Sequence, residues 1–215
     1  MCDIVNDGVL NCMSVIIGIC GVNFCTFWAD MRQVSYLPDG TFDIANDHTQ
    51  KIFKLNDRVL FGAAGKFRGA EDISAPTLAI PNLERASVKI VKTAVVDFLK
   101  KQNKLYGNLT VRNYLVGGKQ NNGAFIIYNV HWNSDTQKVE VSEYVPHPPA
   151  SAFALSMALP NGDPHYMSMC ESAASDCIRI STTDHQLDAN ISDLIRKISE
   201  TDRSVSPESM SLQIL

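Results

Sequence analysis

The residues that could carry chemistry stand at strand ends in the first third of the chain. A hydroxyl at Ser14, a carboxylate at Asp30 and an amine at Lys51 are groups from which nucleophilic catalysis is assembled. Arg32 follows Asp30, and Gly65 closes a segment that ends in Ala-Ala-Gly. Each also has an ordinary explanation: a strand-edge hydroxyl, a surface ion pair of Asp30 with Arg32, an exposed strand lysine and a turn glycine. Residue types alone leave both interpretations open.

Other signatures of catalysis and binding are absent from the sequence. It contains no G-x-x-x-x-G-K-[ST], no G-x-G-x-x-G, no H-E-x-x-H and no G-x-S-x-G. The five histidines show no ligand spacing, so neither a metal site nor a cofactor is predicted. Residues 117–119, Gly-Gly-Lys, are too short for a phosphate cradle and are interpreted as a turn between strands.

Composition narrows the class of protein. The 215 residues are 45% hydrophobic and 20% charged, which suits one domain whose core needs neither disulfides nor metal. The net charge is −4 without a basic stripe, so nucleic acid is not an expected partner. The six cysteines contain no C-x-x-C, and we interpret them as buried, reduced thiols of a cytoplasmic protein. Residues 9–29 are apolar, but acidic flanks and interrupting polar residues argue against a signal peptide or membrane span.

Hydrophobic periodicity predicts the elements that hold the candidate residues. Apolar spacings of three and four predict helices over residues 83–105, 166–180 and 188–200, whereas residues 74–81, with two prolines, are interpreted as a loop. Strands are predicted at 15–20, 24–29, 32–37, 42–45, 51–55, 58–65, 114–116, 123–130, 138–145, 153–159 and 209–215, with a turn at 38–41. Segregation of helices from antiparallel strands favours helices outside two packed sheets.

The order of these features resembles the proteasome β-type and HslV-type peptidases of the N-terminal nucleophile hydrolase superfamily. In that family an apolar strand begins at the nucleophile, a hairpin leads to A-D-x-R, and later strands read K-[IV]-x-x-[IL]-x-[DN] and end in A-G. The matching segments are residues 14–19, 29–32, 51–57 and 61–65. Ser14 stands sixteen residues before Asp30, which is the family's spacing. The resemblance covers about residues 13–72 and is topological over the rest.

The resemblance implies a fold, a site and a function. The fold is α+β, a four-layer α-β-β-α sandwich of two antiparallel sheets. The implied catalytic residues are Ser14, Asp30, Lys51 and Gly65, with Arg32 and Asp202 as structural support. The function is amide hydrolysis of a peptide or protein by a homo-oligomeric ring in the cytoplasm, without cofactor, metal, nucleic acid or membrane. An ATP-dependent unfoldase is a candidate partner.

The implied mechanism uses the chain end as a base. The free α-amine of Ser14 would accept the proton of its own hydroxyl, because a hydroxyl is a weak nucleophile at neutral pH. Lys51, oriented by Asp30, would keep that amine unprotonated. The amide N–H of Gly65 would donate to the oxyanion, at a place where a side chain would hinder the approach of substrate.

A leader segment favours a second hypothesis. Residues 1–13, a leader or propeptide, precede the predicted domain of residues 14–215, so the amine of Ser14 is acylated unless the chain is cut after Met13 or translation starts there. An acylated amine cannot act as a base. The alternative is a catalytically silent, proteasome-like structural or binding subunit whose leader fills the pocket.

Further departures from the family's pattern concern the later segments. The family carries a Gly-Ser-Gly turn and a late Ser-Gly-Gly, whereas the corresponding residues 160–164 and 201–207 lack both turns. Cys2, exposed if Met1 is trimmed, is a second candidate nucleophile because some superfamily amidases use N-terminal cysteine. Its distance of 28 residues from Asp30 does not fit the hairpin.

Overall fold

The structure combines β-strands and α-helices. The computed structural model describes residues 10–12, 14–37, 39, 41–67, 70–106, 112–133, 135–146, 154–158 and 164–215. The strands are β1 (Leu10–Cys12), β2 (Ile16–Cys20), β3 (Cys25–Asp30), β4 (Gln33–Tyr36), β5 (Phe42–Asn46), β6 (Ile52–Asn56), β7 (Val59–Lys66), β8 (Arg112–Lys119), β9 (Phe125–Asn133), β10 (Lys138–Tyr144), β11 (Ala154–Ala158) and β12 (Ser209–Ile214). The α-helices are α1 (Ala70–Leu78), α2 (Val88–Tyr106), α3 (Pro164–Ile180) and α4 (Asp184–Thr201).

The strands form two antiparallel sheets. Sheet A has eight strands in the order β10-β9-β8-β7-β1-β4-β5, with β6 also paired to β7. Sheet B has four strands in the order β11-β2-β3-β12. The strands that carry the candidate residues therefore come from both sheets: β3 ends at Asp30 in sheet B, and β7 carries Gly65 in sheet A.

Three hydrophobic clusters hold the elements together. One joins α2 to sheet A, through residues such as Val91 and Val130. A second joins α3 and α4 to sheet B, with Trp28 among its fully buried side chains. The third lies between the sheets, where Phe27 of sheet B and Leu60 of sheet A are both buried. The prediction of a mixed fold with antiparallel sheets and separate helices is confirmed at this level.

The helices follow the predicted periodicity. The buried positions of α2 are Val88, Val91, Val95 and Leu99, and those of α4 are Leu187, Ile191, Leu194, Ile195 and Ile198. These spacings of three and four place the apolar side chains on one face. The hydroxyl of Thr183 caps α4 by accepting a hydrogen bond from Gln186 N at 3.2 Å. Among the described residues, no helix is long and apolar enough to span a bilayer.

Some sequence predictions were wrong in detail. Residues 74–78, interpreted as loop, belong to α1, because burial of Ile73 and Thr77 outweighs the hydrogen bond that Pro76 removes. Residues 117–119, interpreted as a turn, end β8, where Gly118 pairs with Val59. The predicted helix from residue 83 begins at Val88, after a 3₁₀ turn at Leu83–Arg85.

A few predictions fall partly outside the described residues. Pro38 and Gly40 of the turn at 38–41 do so, as do residues 160–163. The same is true of Cys2 and Met13. Strand β1, at the end of the predicted leader, was not predicted at all: three residues are too short to show a period.

Candidate active site

The carboxylate of Asp30 lies at the centre of the candidate site. The ammonium of Lys51 donates to both of its oxygens at 2.9 Å. Oδ1 also accepts the backbone N–H of Val15 at 2.8 Å, and Oδ2 accepts those of Arg32 at 3.0 Å and Ser206 at 3.2 Å. Three chain segments and one cation therefore converge on a single carboxylate.

Burial makes this pair of charges unusual. The side chains of Lys51 and Asp30 are both 0% exposed. Removing a charged group from water costs roughly several kcal/mol. The attraction between two buried charges offsets that cost only when hydrogen bonds satisfy their remaining donors and acceptors. The backbone N–H donors around Asp30 meet this requirement. The arrangement therefore holds a fixed positive charge in a site that excludes water.

Ser14 lies directly before a residue that is locked to Asp30. Val15 N donates to the Asp30 carboxylate, and Asp30 N donates to Val15 O at 3.1 Å. Ser14 is 1% exposed, and its Oγ has no hydrogen-bond partner among the residues that the structure describes. A buried polar atom without a partner costs about 1–3 kcal/mol, and Ser14 Oγ is one of several such atoms in the described residues, one that adjoins, through Val15, the carboxylate of Asp30.

Gly65 lies on β7 with a backbone conformation that favours glycine. Its φ is 125°, which L-amino acids with a side chain rarely adopt. It pairs with Arg112 of β8 on one side and with Cys12 of β1 on the other. The backbone of Gly65 therefore lies between β8 and β1.

Strand β1 fills the gap between β4 and β7. Asn11 pairs with Val34 of β4 on one side and Lys66 of β7 on the other. In the described part of the chain, β1 is what connects the β4–β5 hairpin to the rest of sheet A. Because Cys12 stands two residues before Ser14, the end of the predicted leader runs beside Gly65 toward the candidate nucleophile.

Arg32 supports the site differently from a direct ion pair with Asp30. Its backbone N–H binds Asp30, whereas its Nε donates to Asp47 Oδ1 at 2.6 Å and its Nη1 donates to the carbonyls of Arg203 and Val205 at 2.9 and 3.2 Å. The guanidinium holds the pKa of Asp47 below its usual value, chiefly through this hydrogen bond. The interpretation of Arg32 and Asp30 as a simple surface pair was therefore wrong.

Asp202 lies one step further out. Its Oδ1 accepts the backbone N–H of Ser204 at 2.9 Å, which orders the turn that leads to Ser206. Asp202 also lines an open cleft of about 810 Å³. The cleft is lined by Thr41, Phe42, Tyr166, Met169, Thr201, Asp202 and Arg203. None of Ser14, Lys51 and Gly65 contributes to that lining, so the cleft is not the candidate site.

The thiols of Cys25, Cys170 and Cys177 are not activated. Cys25 and Cys170 are buried, Cys177 is half-buried, and these three are free. Burial raises the pKa of the thiols of Cys25, Cys170 and Cys177, which disfavours the nucleophilic thiolate. Within the described ranges, no group of three or more His, Cys, Asp or Glu side chains could hold a metal ion.

The structure thus brings Asp30 and Lys51 together, with Ser14 one residue before the Val15 that binds Asp30, and places Gly65 next to β1. Sequence reasoning missed the backbone N–H of Ser206 and the carboxylate of Asp47. No motif marks either one, because the first depends on how a loop folds and the second on the direction of an arginine side chain. Segment 201–207 was nevertheless singled out, since Asp202 lies in it.

Comparison with known proteins gives a likeness of fold. No protein-family model matches the chain, and no curated protein matches it by sequence. A solved structure, eukaryotic HslV from Trypanosoma brucei, superposes with a TM-score of 0.56 at 14% sequence identity, covering 93% of this chain and 98% of that chain. At this identity the match shows that the fold resembles that of HslV.

Proposed function

We propose that this chain is a proteasome-like amide hydrolase, a peptidase that uses Ser14 as its nucleophile once residues 1–13 are removed. The observation that carries the proposal is the fully buried Asp30–Lys51 pair beside a buried hydroxyl for which the described residues offer no hydrogen-bond partner. Apolar residues often stabilise a core as well as a buried ion pair does. A pair retained next to Ser14 is therefore better explained by catalysis. The likeness to HslV supports the fold on which the proposal rests.

In the proposed reaction, Ser14 Oγ forms a bond to the carbonyl carbon of a peptide and its proton moves to the α-amino nitrogen of the same residue. The charge of Lys51 disfavours protonation of that nitrogen in the resting enzyme, which keeps it available as a base. The proton then passes to the leaving amine as the C–N bond breaks, and an ester remains on Ser14. Water cleaves the ester and restores the hydroxyl.

The oxyanion of this reaction needs a preorganised donor. In the proposal the backbone N–H of Gly65 supplies it, and the absence of a side chain lets the substrate approach the backbone closely. An extended peptide would occupy the place of β1, between β4 and β7, because an added strand satisfies the backbone groups of both neighbours.

The same strand supports a second candidate function. With β1 in place beside Gly65, the position of an extended substrate is filled by the chain itself. A chain that keeps residues 1–13 would also keep its Ser14 nitrogen in a peptide bond and have no base. This form would be a catalytically silent structural or binding subunit.

The proposal extends to assembly and location. A domain of residues 14–215 in a four-layer α-β-β-α sandwich would form a homo-oligomeric ring that encloses its sites in the cytoplasm. An ATP-dependent unfoldase would then feed it protein substrates. Native mass spectrometry measures the subunit number directly; a monomer at micromolar concentration would contradict the ring.

The state of residue 14 distinguishes the two functions. The intact mass of the purified protein shows whether the chain begins at residue 1 or 2, which supports the silent subunit, or at Ser14, which supports the peptidase. A chain expressed to begin at Ser14 is then treated with an epoxyketone or β-lactone. We expect one adduct on Ser14, and none in Ser14→Ala.

Ser175→Ala is the matched control, because this serine is exposed on α3 and its Oγ only donates to the carbonyl of Glu171. It should be labelled like the unmodified chain. A correctly folded chain that begins at Ser14, takes no label and cleaves nothing in a peptide pool would refute the peptidase proposal.

A further inference from the structure

The stretch that delivers Lys51 to Asp30 has no regular secondary structure. Residues 47–50 connect β5 to β6, and the backbone of Lys51 is fixed on its far side, where Lys51 O accepts Ala63 N at 3.0 Å. On the near side, Thr49 N donates to Met31 O at 2.9 Å. The placement of the ammonium therefore depends on what anchors the start of this stretch.

One anchor is an ion pair between Asp47 and Arg32, and another is the buried hydroxyl of Thr49, which donates to Gln33 Oε1 at 2.9 Å. In the ion pair, Arg32 Nε donates to Asp47 Oδ1 at 2.6 Å and Nη2 donates to Oδ2 at 3.3 Å, which is the two-bond geometry that a guanidinium forms with a carboxylate. The side chain of Arg32 is 14% exposed and that of Asp47 is 41% exposed. The pair thus lies at the rim of the site, and without Asp47 the guanidinium of Arg32 would keep its bonds to the carbonyls of Arg203 and Val205.

The same arginine also contacts the opposite wall of the site. Its Nη1 donates to the carbonyls of Arg203 and Val205, and the residue after Val205, Ser206, donates its N–H to Asp30. Arg32 therefore links residues 47–50 with the loop at 203–206. Asp47 is the one carboxylate that the structure shows on this guanidinium.

We infer that Asp47 is a positioning residue, which acts through Arg32 to hold the ammonium of Lys51 in register with Ser14. This inference rests on the proposed peptidase function. Asp47 touches neither Ser14 nor Asp30 among the contacts of the described residues, so its loss should affect the chemical step more than the binding of substrate.

The test compares the chain that begins at Ser14 with its Asp47→Asn and Asp47→Glu variants. We expect Asp47→Asn to lower kcat by about tenfold with KM unchanged, since small displacements of a catalytic group cost up to about a hundredfold. The acid limb of kcat/KM should move to higher pH, because a displaced ammonium no longer disfavours protonation of the α-amine. Asp47→Glu keeps the carboxylate and should restore most of kcat.

Asp43→Asn is the control, because Asp43 is an exposed carboxylate on the neighbouring strand β5. It should leave kcat and the pH profile unchanged. An Asp47→Asn protein with the kcat and the acid limb of the parent chain would overturn the inference, and circular dichroism verifies that each variant is folded.

Amide hydrogen exchange separates this inference from the proposed function. If Asp47 positions Lys51, exchange at Thr49 and Lys51 should be faster in Asp47→Asn than in the parent chain, whether or not the protein cleaves peptides. A parent chain that is inactive refutes the peptidase proposal. Unchanged exchange at these amides in Asp47→Asn refutes the positioning role.

Discussion

Two carboxylate–cation pairs of this fold differ in burial and in the kind of cation. Asp30 and Lys51 are both 0% exposed, whereas Arg112 and Asp72 are 4% and 21% exposed. Arg112 lies 5.1 Å from the ring centre of Phe67, and its Nη1 donates to Asp72 at 3.2 Å. The second pair connects α1 to β8 and keeps one partner in contact with water.

The difference shows what marks a candidate site. A guanidinium stays charged, stacks on aromatic rings and forms two bonds to a carboxylate, so Arg112 is explained by packing alone. Lys51 has a compact charge that both oxygens of Asp30 accept, and Ser14, whose hydroxyl lacks a partner in the described part of the chain, stands one residue before the Val15 that binds the same carboxylate. A charge pair alone is not diagnostic, and neither is an unsatisfied hydroxyl, because that of Tyr114 near Arg112 is another; the first pair differs in that both of its charges are fully buried.

The largest expected effect is that of Lys51→Met. The variant leaves the charge of Asp30 buried without its cation, which typically costs about 3–5 kcal/mol. Urea denaturation measures the free energy of unfolding. The double variant Lys51→Met with Asp30→Asn should lose clearly less free energy of unfolding than Lys51→Met alone, because the two residues interact directly. A loss below about 1 kcal/mol for the single variant would mean that the pair behaves like a surface pair.

A smaller loss is expected when the structural pair is broken. Arg112→Met should lower the free energy of unfolding by about 1–3 kcal/mol, since hydrogen bonds and a ring contact are lost but Asp72 stays hydrated. In the chain that begins at Ser14, the rate of labelling by a β-lactone should not change. A labelling rate that falls together with stability would show that the two pairs are not independent.

Replacing arginine by lysine in one pair, and lysine by arginine in the other, sharpens the comparison of the two pairs. Arg112→Lys keeps the charge but loses the planar contact with Phe67, whereas Lys51→Arg places a larger group in a fully buried space. We expect Arg112→Lys to lower the thermal midpoint only modestly and Lys51→Arg to lower it more, because overpacking costs roughly 1–3 kcal/mol. Calorimetry measures the thermal midpoints of both variants. A lower midpoint for Arg112→Lys than for Lys51→Arg would contradict the different roles of the two pairs.

The sequence predicted the elements better than the contacts between them. Strand and helix positions followed from periodicity, which reports the face that each element buries. The three residues of β1 carry no period and form a strand only because β4 and β7 lie on either side. Helix α1 was missed because Pro76 lowers helix propensity, while the burial of Ile73 that outweighs it depends on distant residues.

The candidate site likewise contains residues that the sequence predicted and contacts that it did not. Ser14, Asp30 and Lys51 stand out by their spacing and family resemblance, because those are properties of the chain itself. The N–H of Ser206 reaches Asp30 across 176 residues, a contact that no local pattern encodes. The bond from Arg32 to Asp47 likewise depends on which of several carboxylates a long side chain reaches.

The smallest expected effect concerns the contribution of the Arg32–Asp47 pair to stability and how that contribution depends on pH. Because Arg32 lowers the pKa of Asp47, the folded state favours the carboxylate, and the pair stabilises the fold above the unfolded pKa of about 3.9. That contribution should disappear as pH falls through the lower, folded pKa. With Asp47 41% exposed, solvent screening limits it to about 0–1 kcal/mol. Urea titrations of the parent chain and Asp47→Asn should differ by a constant amount from pH 5 to 7 and converge below about pH 4. A difference in stability that widened toward acid pH would mean that folding raises, rather than lowers, the pKa of Asp47.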